Sequence, residues 1–303
     1  MSLPTSVGPA VSAPPTSPQR GFVGVGVLTS ALVWAYWPLL TDMVRRWYTD
    51  PQYSHGFLVP VFSAYLLWSS RKKLVPSAGG RWLGVALLAL GVAIRTAGTL
   101  LFFGYLDGIS FLVSLAGLAA VWRGRAGLRW AGPAVFYLLF MLPLPYAAQT
   151  ILTGTLQKAG AQASTYLLVT FGVPAVREGN LILLAGDAKL GVVGACSGLG
   201  LAYSAVAIAV AMLFVFRGQA WWVQALLLSS TIPVAVAGNV VRITATGLLY
   251  QQSQDATAQA VFHDAAGVVM MPVAAACFCL ELWYFGRLIR PRQRVDVAGV
   301  LIS

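Results

Sequence analysis

The chain is a succession of long apolar runs separated by short polar ones. A helix needs about 20 mostly apolar residues to cross a bilayer. About eight runs qualify, near 22–40, 54–70, 82–101, 105–122, 130–147, 196–216, 221–249 and 264–286. The third and fourth are separated by little more than Gly104, which predicts a tight helical hairpin. The seventh is long and holds Pro233, so it is expected to kink, tilt or lie partly outside the membrane. One interval, 148–195, breaks the pattern. Its first half, QTILTGTLQKAGAQASTYLLVTFG, has apolar residues at helical spacing and predicts a helix along the membrane surface. In its second half, Gly179-Asn180 and Gly186-Asp187 punctuate short β-branched and Leu-rich runs, which predicts a small hairpin outside the membrane. The expected fold class is an all-α polytopic membrane protein, with about eight transmembrane helices and a small extracytoplasmic helix and hairpin inserted before Cys196.

Composition supports this class. Of 303 residues, 58% are hydrophobic and only 10% charged, far from the usual soluble domain. The net charge of +11 does not point to nucleic acid, because the charges sit in short clusters between apolar runs. Arg20, Arg71, Lys72, Lys73, Arg81, Arg123, Arg125, Arg129, Arg217, Arg287, Arg290, Arg292 and Arg294 share one set of loops. That set is expected to face the cytoplasm, with both termini. The opposite loops carry Asp42, Asp50, Asp107, Glu178, Asp187, Asp255 and Asp264. Residues 1–20, rich in Pro, Ser and Thr, read as a disordered cytoplasmic tail, 21–290 as a single transmembrane domain and 291–303 as a second cytoplasmic tail. The start lacks the basic residues of a cleaved signal peptide, so the first apolar run is expected to be retained. Cys277 and Cys279 lie in AAACFCLELWYF and read as small buried hydrophobes. No metal cluster, phosphate loop or dinucleotide motif is present, so no cofactor is expected.

Three polar residues stand at ends of apolar runs that this topology places on the outer side: Cys196 in GACSGLG, Arg242 in NVVRIT and His263 in VFHDAAG. A thiol, a fixed cation and an imidazole suit nucleophilic acyl chemistry. Cys196, followed by Ser197 and Gly198, is expected to open a helix whose free N–H groups favour the thiolate. It reads equally as a small residue packed beside Gly194, Gly198 and Gly200. Arg242 is either a snorkelling residue or a functional intramembrane charge, with Asn239 on the same helix face to orient it or a substrate carbonyl. His263, beside Asp264, is either an incidental loop residue or a general acid/base. Tyr53, Ser54, His55 and Gly56 fall at the outer end of the second run and can line the same site, although hydrogen bonding at the interface is the simpler reading of His55. Arg95 lies well inside the third run, where pairing with Asp107 across the hairpin is the safer reading and binding of a substrate carboxylate the other. MLPLP is expected to break the fifth run at the surface.

These residues resemble the exosortase/archaeosortase family of polytopic membrane cysteine proteases and transpeptidases. The matching elements are YSHGFLVP at 53–60, MLPLP at 141–145, ACSGLG at 195–200, NVVRIT at 239–244 and FHDAAG at 262–267, in the family's order. The resemblance implies that Cys196, Arg242 and His263 are the catalytic residues, and that a C-terminal sorting signal of exported proteins is cleaved. Such a signal has a short motif, a transmembrane helix and a basic tail. The implied partners are these membrane-anchored substrates and the bilayer; the implied place is a bacterial cytoplasmic membrane, with the site facing outward. Many members carry Glu shortly before ACSG and Arg just after it, where this chain has Gly194 and Gly200. From a different class, a transporter or polysaccharide-export subunit also suits intramembrane Arg and His with Gly and Pro interruptions, although no inverted repeat is evident. A catalytically inactive scaffold of the same fold is a third reading.

Overall fold

The computed structural model describes residues 18–71, 79–184, 189–192, 198–216, 218–252 and 272–285. These residues are mostly helical, as the apolar runs require, because a backbone in hydrocarbon must satisfy its own hydrogen bonds. The first run is not one helix. α1 (Pro18–Ala35) and α2 (Trp37–Thr49) meet at Tyr36 with a bend of 62°. Pro38 in the first turn of α2 explains the break, since its ring cannot continue the preceding helix. α2 is amphipathic: Met43 and Trp47 are buried, and the Arg46–Asp42 ion pair (2.8 Å) lies on the exposed face. A 3-10 helix, Pro51–Phe57, then feeds α3 (Leu58–Ser69), capped by the Asp50 side chain accepting from the Gln52 amide.

α4 (Arg81–Leu100) and α5 (Tyr105–Tyr137) form the predicted hairpin around Gly104. Its seam is a glycine every seventh residue: Gly84 lies against Val121, Gly91 against Ser114 and Gly98 against Leu106. Without a side chain at these positions the two backbones approach closely, the usual way helices associate in lipid. α5 is itself two arms, because Arg123 and Gly124 leave helical geometry. A straight helix would hold Gly108 and Leu142 about 50 Å apart. Instead they pack together, so the chain reverses at 123–124 as the fourth and fifth runs predict. After a short 3-10 turn (Leu138–Met141), MLPLP ends the helix with Leu142 in extended conformation.

The interval before Cys196 is helical and then stranded. α6 (Tyr146–Thr170) buries Gln157, Gly160, Ala161, Ser164 and Leu168, one stripe at helical spacing. The expected hairpin has a third strand: β1 (Ala175–Glu178), β2 (Leu181–Leu184) and β3 (Lys189–Gly191) form an antiparallel sheet in sequence order. Ile182 pairs with Leu190 and, with Leu184 and Val192, packs on Leu168, Val173 and Ile243. α7 (Leu199–Val215), α8 (Trp221–Gln252) and α9 (Pro272–Phe285) complete the described helices. α8 runs unbroken past Pro233. Cys277 and Cys279 are exposed rather than buried, because α9 turns Ala274, Phe278 and Leu282 inward at intervals of four.

Among the described residues, three helices are long and apolar enough to cross a membrane, α4, α5 with its following turn, and α8; the bent α1–α2 pair makes a fourth. Several expected spans fall below that length. α3 has 12 residues because the run near 54–70 opens as a 3-10 helix, and α7 has 17 because it opens at Leu199. Arg95 does not pair with Asp107. Its guanidinium stacks on the Tyr36 ring (4.4 Å to the centroid), and no ion pair joins the two residues. Tyr36 in turn donates its hydroxyl to Ser110 Oγ (3.0 Å).

Candidate active site

Cys196, Ser197 and His263 lie outside the described residues, in segments 193–197 and 253–271. Gly198 is the residue before α7 and has a left-handed φ of +80°, a conformation other residues enter at a penalty. The helix therefore begins at Leu199, and Gly198 stands outside its first turn rather than within it. A Cβ at Gly198 would also lie 2.8 Å from Asn239 Nδ2, so the chain can pass this close to α8 only as glycine.

Asn239 is 2% exposed, wedged between Gly198 and Gly160 of α6. One turn further along α8, Arg242 is 6% exposed on the same face, with Ile243 and Thr246. This face is held to α6 by Ser164 Oγ donating to the Val240 carbonyl (3.3 Å). Thr246 Oγ1 donates to the Arg242 carbonyl (2.9 Å). Arg242 is thus not a snorkelling surface residue. It is a buried cation, one helical turn from the residue that touches Gly198.

The approach to 193–197 is fixed by a residue that periodicity does not single out. Asn180, in the β1–β2 turn, donates its side-chain amide to Gln157 Oε1 (2.7 Å) and accepts at its carbonyl from the Val192 amide (2.9 Å). α6, the sheet and the segment entering 193–197 are thereby tied at one point. The Gly179-Asn180 turn signal marks the position in the sequence, but the link to Gln157 spans 23 residues and leaves no local trace.

The opposite side of α7's first turns is formed by the 3-10 helix. A Cβ at Gly200 would lie 2.7 Å from Gln52 Cα, so the two backbones touch. Here any side chain would force the 3-10 helix away. Tyr203 caps this contact: its ring packs edge-on against His55 (centroids 5.1 Å) and Tyr53 (6.4 Å), and its hydroxyl donates to the Leu142 carbonyl (3.0 Å). Trp47 Nε1 donates to the Met141 carbonyl (3.1 Å). YSHG and MLPLP, distant in sequence, are therefore neighbours beside the start of α7. Tyr53 and His55 are each 5% exposed. Burial pushes the Tyr53 phenol above its ordinary value and the His55 imidazole down to about 4. The carbonyls of Phe140 and Gln52 lie near His55 and favour its proton in part, yet neither forms a well-shaped hydrogen bond to the ring. Arg95, over Tyr36, belongs to a different set of contacts.

A family model described as transmembrane exosortase matches residues 47–280, more than three quarters of the chain. The chain belongs to the transmembrane exosortase family. Among curated proteins and among solved structures, no significant match is found. The matched exosortase segment opens at Trp47, beside the 3-10 helix, and closes within α9. It spans all five quoted motifs, including both walls around α7 and the undescribed segments that hold Cys196 and His263.

Proposed function

We propose that this exosortase is a membrane-embedded cysteine peptidase or transpeptidase that removes C-terminal sorting signals from exported proteins. The observation that carries the reading is the contact of Gly198, two residues after Cys196, with Asn239, one turn from the buried Arg242. A buried guanidinium beside the segment that holds a thiol fits an oxyanion-stabilising group better than a packing role. In this mechanism the Cys196 thiolate attacks the scissile carbonyl, and its electron pair moves onto the oxygen beside Arg242. As the tetrahedral intermediate collapses to a thioester, the C–N bond breaks and His263 protonates the departing amine. The same imidazole then takes a proton from the acceptor, water for a peptidase or an amine for a transpeptidase. Asn239 orients Arg242 or the substrate carbonyl.

The topology that serves this chemistry has about eight membrane crossings in a bacterial cytoplasmic membrane, both termini inside, and the start of α7 at the outer face. The test is co-expression of a tagged exported protein from the same genome, bearing motif, apolar helix and basic tail, with the wild-type chain or Cys196→Ala. Shortening of the substrate by wild type alone is the expected result. Equal shortening by both removes Cys196 as the nucleophile. An intact substrate in both leaves the chain as a scaffold toward that substrate.

A further inference from the structure

The 3-10 helix carries a group of buried polar atoms that the chain does not satisfy with well-shaped hydrogen bonds: the Leu144 backbone lies near the Tyr53 hydroxyl, and the Phe140 and Gln52 backbones lie near His55, but none closes a proper bond. Gln52 Oε1, the Tyr53 hydroxyl and both ring nitrogens of His55 are each buried without a hydrogen-bond partner. Such atoms are rare in folded proteins, and leaving one buried and unpaired is costly. Four of them on three residues of one short stretch, Gln52, Tyr53 and His55, mark a place built for an external partner. Their surroundings give its position. Gly200 lies against the Gln52 backbone and Tyr203 against both rings, so the group flanks the first turns of the helix that follows Cys196.

The chemistry of the group gives the class of partner. Gln52 Oε1 accepts only, the phenol donates and accepts, and an imidazole held neutral by burial has one donor and one acceptor. No cation belongs to the set, so it does not select a carboxylate or phosphate. A neutral imidazole next to an amide acceptor matches the alternating C=O and N–H groups of an extended peptide. We infer that Gln52, Tyr53 and His55 form a subsite that hydrogen-bonds the main chain of the substrate peptide beside its scissile bond. The inference rests on the peptidase reading above and adds to it a recognition surface that is neutral and backbone-directed. Selection by charge then falls to other residues, and side chains of the substrate at this subsite matter less than an extended, unpaired backbone.

The test uses the full-length chain in membranes with the same tagged exported protein, at graded substrate levels. His55→Phe keeps the ring packed on Tyr203 but removes both nitrogens, whereas His55→Asn keeps one donor and one acceptor. Maleimide labelling of Cys196, in a background lacking the exposed Cys277 and Cys279, reports whether the neighbouring helix start is intact. At equal protein level and unchanged labelling, His55→Phe should raise KM about tenfold or more with little change in kcat, and His55→Asn should recover most of the loss. Wild-type KM in His55→Phe overturns the subsite, because ordered water then satisfies the group. Loss of processing together with Cys196 labelling, or no recovery by His55→Asn, also overturns it and leaves His55 a packing residue. In both cases wild type still processes and Cys196→Ala does not, so the peptidase reading stands. Failure of wild type to process overturns both.

Discussion

Arg242 and His55 are buried by the same fold and differ in what burial does to them. A guanidinium stays charged in any protein setting, so α8 carries a permanent cation one turn from Asn239. Replacing Arg242 by Ala should lower processing by about 10²–10³-fold, the size of one lost oxyanion donor. Arg242→Lys, with charge but no planar fork, should fall between. Quantifying cleaved substrate at matched protein levels checks both, and wild-type activity in Arg242→Ala removes the residue from the mechanism. His55 instead yields its charge, with its imidazole held down near 4 against 6.5 in an unfolded chain. Above pH 6.5 both states are neutral and the shift contributes nothing. Between 6.5 and about 4 the unfolded chain binds a proton that the folded chain refuses, so stability falls with falling pH, by about 3 kcal/mol in all. Thermal unfolding of the detergent-solubilised protein should show this slope in wild type and a shallower one in His55→Phe. Equal slopes would mean that His55 protonates normally in the folded protein.

At the scale of elements, glycine placement decides which helices touch. The Gly84–Gly91–Gly98 seam locks α4 to the first arm of α5, and a side chain at Gly91 would run into Ser114. Gly91→Leu should destabilise the protein by about 1–3 kcal/mol through overpacking, read as a lower unfolding midpoint. An unchanged midpoint would mean that the hairpin is not held at this seam. Gly198→Ala meets two obstacles, the +80° φ and Asn239, and should impair processing more than it impairs accumulation. The hairpin was legible in the sequence, since Gly104 sits between two apolar runs, and the seven-residue glycine spacing was there to be read as its seam. The Gly179-Asn180 turn was legible for the same local reason. Other features left no such mark. The stacking of Arg95 on Tyr36 depends on the α1–α2 bend packing against a hairpin far along the chain, which local charge spacing does not reveal. The proximity of YSHG to MLPLP and to Tyr203 is likewise tertiary: nothing within 51–57 indicates that Leu142 and Gly200 close over it. The exposure of Cys277 and Cys279 is also invisible in the sequence, because an apolar stretch in a membrane protein has an outward face as greasy as its inward one.

For the whole molecule, same-end contacts agree with the pattern of charge. Segments 51–57 and 138–142 and the start of α7 meet through Trp47, Tyr203 and Gly200. At the other end of α5's arms, the Arg125 amide bonds the Gly79 carbonyl, where Arg123, Arg125 and Arg129 gather. The proposed orientation, with the basic end in the cytoplasm, rests on this asymmetry. The sharpest test falls on α7, the only described helix between the sheet and Arg217. Its 17 residues are about 26 Å long, a little short of the roughly 30 Å hydrocarbon core. Such a helix crosses if the bilayer thins around it, at a modest penalty. Two single-cysteine variants bracket it in a background lacking Cys196, Cys277 and Cys279: Glu178→Cys at the end of β1 and Ala220→Cys before α8, both exposed positions that leave the arginines untouched. A membrane-impermeant maleimide added to intact spheroplasts should modify Glu178→Cys at once and Ala220→Cys only after permeabilisation. The opposite pattern would turn the site toward the cytoplasm, away from exported substrates. Modification of both from one side would mean that α7 does not cross, and the helix after Cys196 would then lie along the surface instead of anchoring the thiol at the mouth of a bundle.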